Sequence, residues 1–468
     1  MDAYNLLARH VLGPGHDLLR GTHTMRCLAE LERSQWWPPE RIAELQAARL
    51  RRLMDHAYRT VPLYRTVMDQ RGVTPADIRS SEDLRLLPII SRTDAQQHGT
   101  SMLSDGYPPR LLRRTRTSGS TGTPLEFYGT VEDQVNRGFA RGIRALEYTG
   151  LHLGDRTASL GRPRQVHSRR ERTLQLWAMR FRRRIAISVD RLSDDALAGI
   201  VRDLAAAQLD GIGGYPNAVA LVAGFIVDSG TPPPAVRAVV TGGAELLGHE
   251  RKLIRAAFGT EPCSNYAAYE AYAIACECEA HEGLHIAAED LIVETLDDSG
   301  MPVSDGAEGR IVITNLHNYG MPFIRYDLGD SGTLVKGRCA CGRSLPRLGA
   351  LVGRKNRFLV TRSGRRVFAG TLFLDRFAGL GLRQYQIVQE DLDNVTMRLV
   401  PAPGDASQEG LAALEARVRA LIEAGLGDEL ALHIQFVDRI EPSAEGKHVF
   451  MLSLVRESRS SAPGLADV

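Results

Sequence analysis

The run from Arg116 to Pro124, RTSGSTGTP, is the strongest local signal for chemistry in the chain. Small residues let successive backbone amides turn inward and form a concave nest for anions, and the Ser and Thr hydroxyls add donors. Such a loop can also be a plain linker. The extended runs on both sides favour phosphate binding. It is not a Walker A loop, which ends in G-K-[ST]. No lysine precedes Lys252, and this excludes P-loop NTPases and kinases. Of 58 basic residues, only Lys252, Lys336, Lys355 and Lys447 are lysine, a bias that GC-rich coding would produce. Against that background Lys447, in AEGKHVF, is a candidate for work that a planar guanidinium cannot do, because a compact ammonium rides on a flexible stem.

The six cysteines are Cys27, Cys263, Cys276, Cys278, Cys339 and Cys341. They are too few and too unevenly spaced for a disulfide framework and are expected to be reduced. Cys276-x-Cys278 is followed by His281 and His285, and a second pair, Cys339-x-Cys341, lies in GRCACGRSLP. Two short pairs with interposed histidines suit tetrahedral zinc; buried thiols acting as small apolar residues are the competing reading. Ligands from separated segments would make the ion a staple and not a catalyst. No helix-bearing spacer of the kind found in a DNA-reading finger separates the pairs.

These residues must be positioned by a chain of 468 residues, long enough for two or three domains. The formal net charge of +2 gives no argument for nucleic acid or an acidic membrane surface as partner. No apolar run reaches the length of a membrane span, and the amino terminus lacks a basic-then-apolar signal pattern, so a soluble, cytoplasmic protein is expected. Nine arginines fall between residues 162 and 184. A solvated helix with Leu174, Trp177 and Phe181 on its apolar face is favoured there over a phosphate- or nucleic-acid-binding strip.

Apolar spacing from Pro39 to Val67 predicts one or two amphipathic helices, and SSEDLRLLPIISRTDAQQ a short capped helix before an extended LPII segment. Residues 110–130 read as strand, loop and strand, and 132–148 as helix. Helices then alternate with short apolar runs (SDDALAGIVRDLAAAQ, AVRAVVTGGAEL, HERKLIRAAFG), which implies parallel sheets covered by helices. From about 285 to 362 the texture is strands and turns, and 365–455 mixes strands with one helix in a small α+β unit. The RESRSSAPGLADV tail is expected to be disordered.

TSGSTGTP, GGAEL at 242–246, NYAAYE at 265–270, RYDLGD at 325–330, GRKN at 353–356 and GK at 446–447 follow one another in the order of the acyl-adenylate-forming superfamily. The chain most resembles its branch of phenylacetate–coenzyme A ligases and synthetases that adenylylate a deazaflavin cofactor, through the stretch from SQWWPPERIAELQ to PLYR, the GGYPN turn, ECEAHEGLHI and CACGRSLP. The likeness runs from about residue 30 to 455 and is specific as a set of motifs.

The resemblance implies an α/β fold: a large amino-terminal adenylate-forming domain (1–355) and a small mobile α+β carboxy-terminal lid (356–468). In its terms Thr117, Ser118, Gly119, Ser120, Thr121, Gly122 and Thr123 would hold the ATP phosphates. Gly243, Ala244 and Glu245 would line the adenine pocket, with Tyr266 near it; Asp330 would accept the ribose hydroxyls, and Arg354 would help hold the ribose. Glu270 would ligate Mg2+. Tyr215, Pro216, Ala268 and Tyr269 would line the acyl pocket, Asn356 would be the hinge, and Lys447 would reach the α-phosphate and the carboxylate. The zinc pattern of this branch matches Cys278, His285, Cys339 and Cys341, leaving Cys276 and His281 as spares.

The implied activity is ATP-dependent activation of a carboxylic acid, an aryl acid foremost, as acyl-AMP and its transfer to coenzyme A. The alternatives are an amine or hydroxyl acceptor, giving an amide or a nucleotidyl transfer, and a non-catalytic zinc-stapled relative. Subunit number is not written in any motif; a homodimer is left open. The chain departs from the family's Y-G-x-T/S-E at Ala267 and Tyr269, which bears on the acid accepted, and from its hinge aspartate and the following acid at Asn356 and Arg357.

Overall fold

A computed structural model describes residues 2–116, 125–160, 183–187, 194–335, 337–352, 358–360, 366–368, 380, 382–401, 408–426, 430–441 and 451–454. The chain opens with helical segments at 3–20 and Thr24–Ser34, a region in which the sequence reading had placed no element. Pro39 then starts a 22-residue helix to Thr60, with proline in the first turn, where its missing N–H costs nothing. Its buried Ile42, Leu50, Leu53, Met54 and Ala57 recur at helical spacing. Val61 is extended ahead of Pro62, so the apolar stretch divides into two helices, the second spanning Pro62–Arg71. The expected helix at 81–86 is a 3-10 turn, and of LPII only Ile90 forms a bridge, to Tyr326.

Strands β1 (Leu112–Arg116) and β2 (Glu126–Thr130) form an antiparallel pair closed by Arg116 opposite Glu126. A helical segment follows, Val131–Arg137 continuing into Gly138–Glu147. The principal sheet is built from β3 (Thr157–Leu160), β4 (Arg184–Ile187), β5 (Gly211–Gly214), β6 (Ala238–Gly242), β7 (Cys263–Ala268), β8 (Tyr272–Glu277), β9 (Leu284–Ile286), β10 (Leu291–Leu296), β11 (Gly309–Asn315), β12 (Tyr326–Val335) and β13 (Arg347–Val352). Its order is β10-β11-β12-β13-β9-β8-β7-β6-β5-β3-β4. From β4 through β7 neighbouring strands are parallel; from β7 to β10 they are antiparallel. The parallel arrangement expected of the alternating helices and strands is found from β4 through β7, and the strand-and-turn stretch expected from about 285 lies in the antiparallel half. The hairpin turns DDSG and YAAYEA permit antiparallel neighbours without helical crossovers.

The parallel half packs on helices Asp194–Ala206, Pro216–Ser229 and Gly248–Phe258 around Val201, Leu204, Ile212, Val219, Val222 and Val239. The antiparallel half packs on the helices at 39–71. Beyond it, β14 (Phe358–Val360) pairs with β15 (Arg366–Phe368). A separate sheet holds β16 (Leu382–Gln389), β17 (Asn394–Pro401), β18 (Ala431–Phe436) and β19 (Met451–Ser453) in the order β18-β17-β16-β19. Helix Gln408–Leu426 contributes Leu414, Val418 and Ile422 to its core. The molecule is thus a mixed α/β fold with a large amino-terminal and a smaller carboxy-terminal domain. Among the described residues no helix is long and apolar enough to cross a membrane.

Candidate active site

Three parallel strands, β5, β6 and β7, deliver candidate residues to their carboxy ends. β5 ends at Gly214, where a Cβ would lie 2.2 Å from the Leu160 carbonyl oxygen; glycine is required there, and Tyr215 and Pro216 follow as the start of the next helix. Pro216 is buried and Tyr215 half-buried. β6 ends in Gly242-Gly243, and Gly243 has φ 79°, a left-handed turn that brings Ala244 and the half-buried Glu245 out beyond the strand. β7 lies parallel to β6 with Gly242 opposite Asn265, so Tyr266 comes next to Gly243. The carboxy ends of parallel strands are where open α/β sheets bind nucleotides.

The antiparallel half supplies the other wall. Tyr266 Oη donates to Asp330 Oδ2 of β12 at 2.9 Å, joining two motifs 64 positions apart. The turn between β7 and β8 holds Tyr269, 50% exposed, and Glu270, 7% exposed; Ala268 before it is half-buried. Tyr272, at φ 57°, is a non-glycine residue in a left-handed conformation directly after this turn. Tyr326 Oη donates to Glu270 Oε1 at 3.2 Å.

Residues that the sequence reading missed fix the Glu270 turn from behind. Asn315 Nδ2 donates to the Glu270 carbonyl at 3.4 Å and to Asp133 Oδ1 at 3.0 Å, and Arg141 Nη2 donates to the Ala271 carbonyl at 2.9 Å. Burial pushes the Asp133 carboxyl up. The neighbouring Asp290 is also fully buried, and burial alone would raise it. His317 at 3.0 Å, Arg141 at 3.9 Å and Arg137 at 3.5 Å outweigh that and hold it well below the usual carboxylate range. Arg325 of RYDLGD is structural: at φ 50° it pairs with Glu294 at 3.0 Å and donates to the Leu87 carbonyl at 2.8 Å.

Thr117 to Thr123, Arg354, Asn356 and Lys447 lie outside the described residues, as do most of the arginine run and the carboxy-terminal tail. The flanks of the Ser/Gly/Thr loop, β1 and β2, are paired as the strand–loop–strand reading expects.

Cys278 just after β8, His285 in β9, and Cys339 and Cys341 ahead of β13 converge with all donor atoms within 4.8 Å of one another. Cys278 Sγ is 3.6 Å from Cys339 Sγ, and Cys341 Sγ 3.3 Å from His285 Nε2. Tetrahedral zinc with Zn–S bonds of about 2.3 Å would set its sulfurs about 3.7 Å apart, so this donor set fits the ion. The described cysteines are free thiols. Cys276 and His281 are not in the cluster; Cys276 Sγ contacts the Ala145 carbonyl at 3.5 Å and His281 faces Glu277 at 3.6 Å. Burial lowers the His285 pKa to about 4, which keeps the imidazole neutral as a ligand must be. Burial works against ionising Cys341, but hydrogen bonds from the Arg343 backbone and side chain prevail and lower its pKa. Arg343 itself is held over Tyr148 at 4.3 Å and Trp36 at 5.1 Å.

No protein-family model matches the chain. It is 28% identical over 342 residues to the phenylacetate–coenzyme A ligase of Thermus thermophilus, covering 69% of this chain and 73% of that protein. It is also 28% identical over 357 residues to the phenylacetate–coenzyme A ligase of Escherichia coli, covering 71% and 75%. Among solved structures, 2-hydroxyisobutyryl-CoA ligase in the postadenylation state with 2-HIB-AMP superposes with a TM-score of 0.70 at 18% identity, over 90% of this chain and 91% of that one. An anthranilate CoA ligase in complex with anthranoyl-AMP gives 0.51 at 14% identity, over 74% and 67%. The chain thus has the fold of the adenylate-forming ligases, and in sequence it is like their phenylacetate–coenzyme A ligase branch.

Proposed function

We propose that this protein is an AMP-forming acid–thiol ligase that activates a carboxylic acid, an aryl acid foremost, with ATP and transfers the acyl group to coenzyme A. The observation that carries the reading is that Gly243–Glu245, Tyr266 and Glu270 lie at the carboxy ends of β6 and β7, with Tyr266 bonded to Asp330 and Glu270 to Tyr326 of β12, in a chain whose sequence relatives are phenylacetate–coenzyme A ligases. Asp330, braced by Tyr266, offers carboxylate oxygens to the ribose hydroxyls, with Arg354 as a second ribose contact. The adenine lies along Gly243–Glu245, and the phosphates sit in the Thr117–Thr123 loop. Tyr215, Pro216, Ala268 and Tyr269 form the acyl pocket.

Attack of a carboxylate on the α-phosphate brings two anions together, so positive charge must converge on the reacting oxygens. Glu270 is the residue that would hold Mg2+, and a bound Mg2+ supplies part of that charge. Lys447 supplies the rest from a lid that begins near residue 356 and pivots at Asn356. Rotation of the lid after adenylation withdraws Lys447 and opens a path for the thiol. Cys278, His285, Cys339 and Cys341 are the residues that would hold a structural zinc ion, which would staple β8 and β9 to the segment preceding β13.

The test is incubation of the purified protein with ATP, Mg2+ and a library of acids, with and without coenzyme A, followed by product mass and ATP–pyrophosphate exchange. An acyl-CoA thioester with free AMP is the expected product. AMP retained on the product, or an amide, would move the acceptor to a hydroxyl or an amine. Absence of exchange with every acid would overturn the reading.

A further inference from the structure

The second place where soft and hard metal donors meet is far from the Cys278 cluster in sequence. His23 is the residue that caps helix Thr24–Ser34, and the Cys27 amide donates to its carbonyl at 3.1 Å, so the two side chains sit one turn apart on the same face. The start of that helix abuts segment Val131–Arg137: the His23 amide donates to Asn136 Oδ1 at 3.0 Å and Thr24 Oγ1 to the Val135 carbonyl at 3.3 Å. Glu132 is thereby brought against them, its Oε2 2.8 Å from His23 Nε2. The donor atoms of His23, Cys27 and Glu132 all lie within 4.8 Å of one another.

We infer that His23, Cys27 and Glu132 form a second metal site, selective for a borderline divalent cation of the zinc class. A thiolate and a carboxylate neutralise the charge of such an ion, and imidazole is a ligand common to this class. Among the described residues three protein donors are present, so a water would complete the tetrahedron. The site is open, in contrast to the four-donor Cys278 cluster. An ion pair accounts for His23 and Glu132, and Cys27 packs beside Leu28, Leu31 and Ala140, yet its sulfur also lies within reach of both donors. Cys27 is 1% exposed, whereas the His23 side chain is 49% exposed, which provides an inner anchor and an entry side. Asn136 Nδ2, 2.8 Å from Glu132 Oε2, orients the carboxylate. Arg137 Nε, 3.5 Å from Glu132 Oε1, is the opposing cation. It has Glu30 at 2.8 Å and Asp290 at 3.5 Å as other partners and can yield Glu132 to the ion. An ion here would tie the amino-terminal helix to the segment that carries Asp133.

The 468-residue chain, dialysed to equilibrium against Zn2+ or Co2+ at a buffered concentration in excess of its sites, is assayed for bound metal per chain and for the thiolate-to-Co2+ charge-transfer absorption, alongside His23→Ala and Cys27→Ser. His23→Ala changes an exposed side chain and keeps the fold testable if Cys27→Ser misfolds. The expected result is one ion fewer per chain in either variant than in the parent, with Zn2+ affinity at that site weakened more than about 100-fold, since even outer-shell changes cost 10–100-fold. The difference between parent and variant is independent of whether the Cys278 cluster binds zinc. Equal metal content and unchanged Co2+ absorption in parent and His23→Ala would overturn the inference.

Discussion

The phenol of Tyr326 donates to the carboxylate of Glu270 across 56 positions of sequence, at 3.2 Å and out of contact with bulk water. One carboxylate oxygen is thereby oriented, and the tyrosine ring is itself packed edge-on against Phe323 at 4.7 Å. Replacing Glu270 by Gln is expected to lower ATP–pyrophosphate exchange by at least about 100-fold, the scale of losing a charge-stabilising group. Tyr326→Phe removes only the orienting hydrogen bond, worth about 1 kcal/mol, and is expected to lower exchange about fivefold. Magnesium titrations of both variants separate lost metal binding from lost fold.

Lys447→Ala is expected to abolish formation of the acyl-adenylate and leave transfer from chemically supplied acyl-AMP to coenzyme A intact. The two half-reactions are measured separately, by pyrophosphate exchange and by thioester formation. Equal loss of both would remove the assigned role from Lys447.

Cys339→Ser is expected to lose one zinc ion and to lower the thermal midpoint by about 5 °C or more, at roughly 2–4 °C per kcal/mol. Metal analysis and calorimetry check this. A strong chelator should lower the midpoint of the parent protein more than that of the variant, by about the amount the substitution costs.

Glu147 contacts Arg9 at 2.8 Å, and Arg9 also holds Glu32. Burial, reinforced by the negative charge of Glu32, raises the Glu147 pKa from 4.5 to about 7. The folded chain therefore keeps a proton that the unfolded chain has released, and stability must fall as pH rises through that interval. Denaturation midpoints at pH 5 and pH 8 should drop for the parent protein and drop less for Glu147→Gln.

How much of this was legible beforehand varied with the kind of force involved. Helix 39–60 follows from apolar spacing alone, and helix 248–258 from its glycine stop. The hydrogen bond between Tyr266 and Asp330 follows from no spacing; motif order named the two residues, and only β7 and β12 in one sheet bring them together. Asp133, Arg141 and Asn315 were hidden for a compositional reason. In a chain whose cations are nearly all arginine, nothing local separates a buried Arg141 from a solvated one. The antiparallel half was visible as a change of texture, yet its junction with the parallel half at β7 was not, because a strand's direction depends on partners it meets later. The amino-terminal helices were missed since their exposed Leu18 and Leu19 blur the apolar face.

β7 has a parallel neighbour on one side and an antiparallel neighbour on the other, and the residues proposed to bind the nucleotide straddle that seam. As the chain leaves the ribosome, β3, β5 and β6 come before Tyr266, Glu270 and Asp330. Their open edge waits for β7, and Asp330 arrives later still. On the proposed function, ATP therefore could not stabilise the early stages of synthesis; it could stabilise only a chain whose two halves have already met.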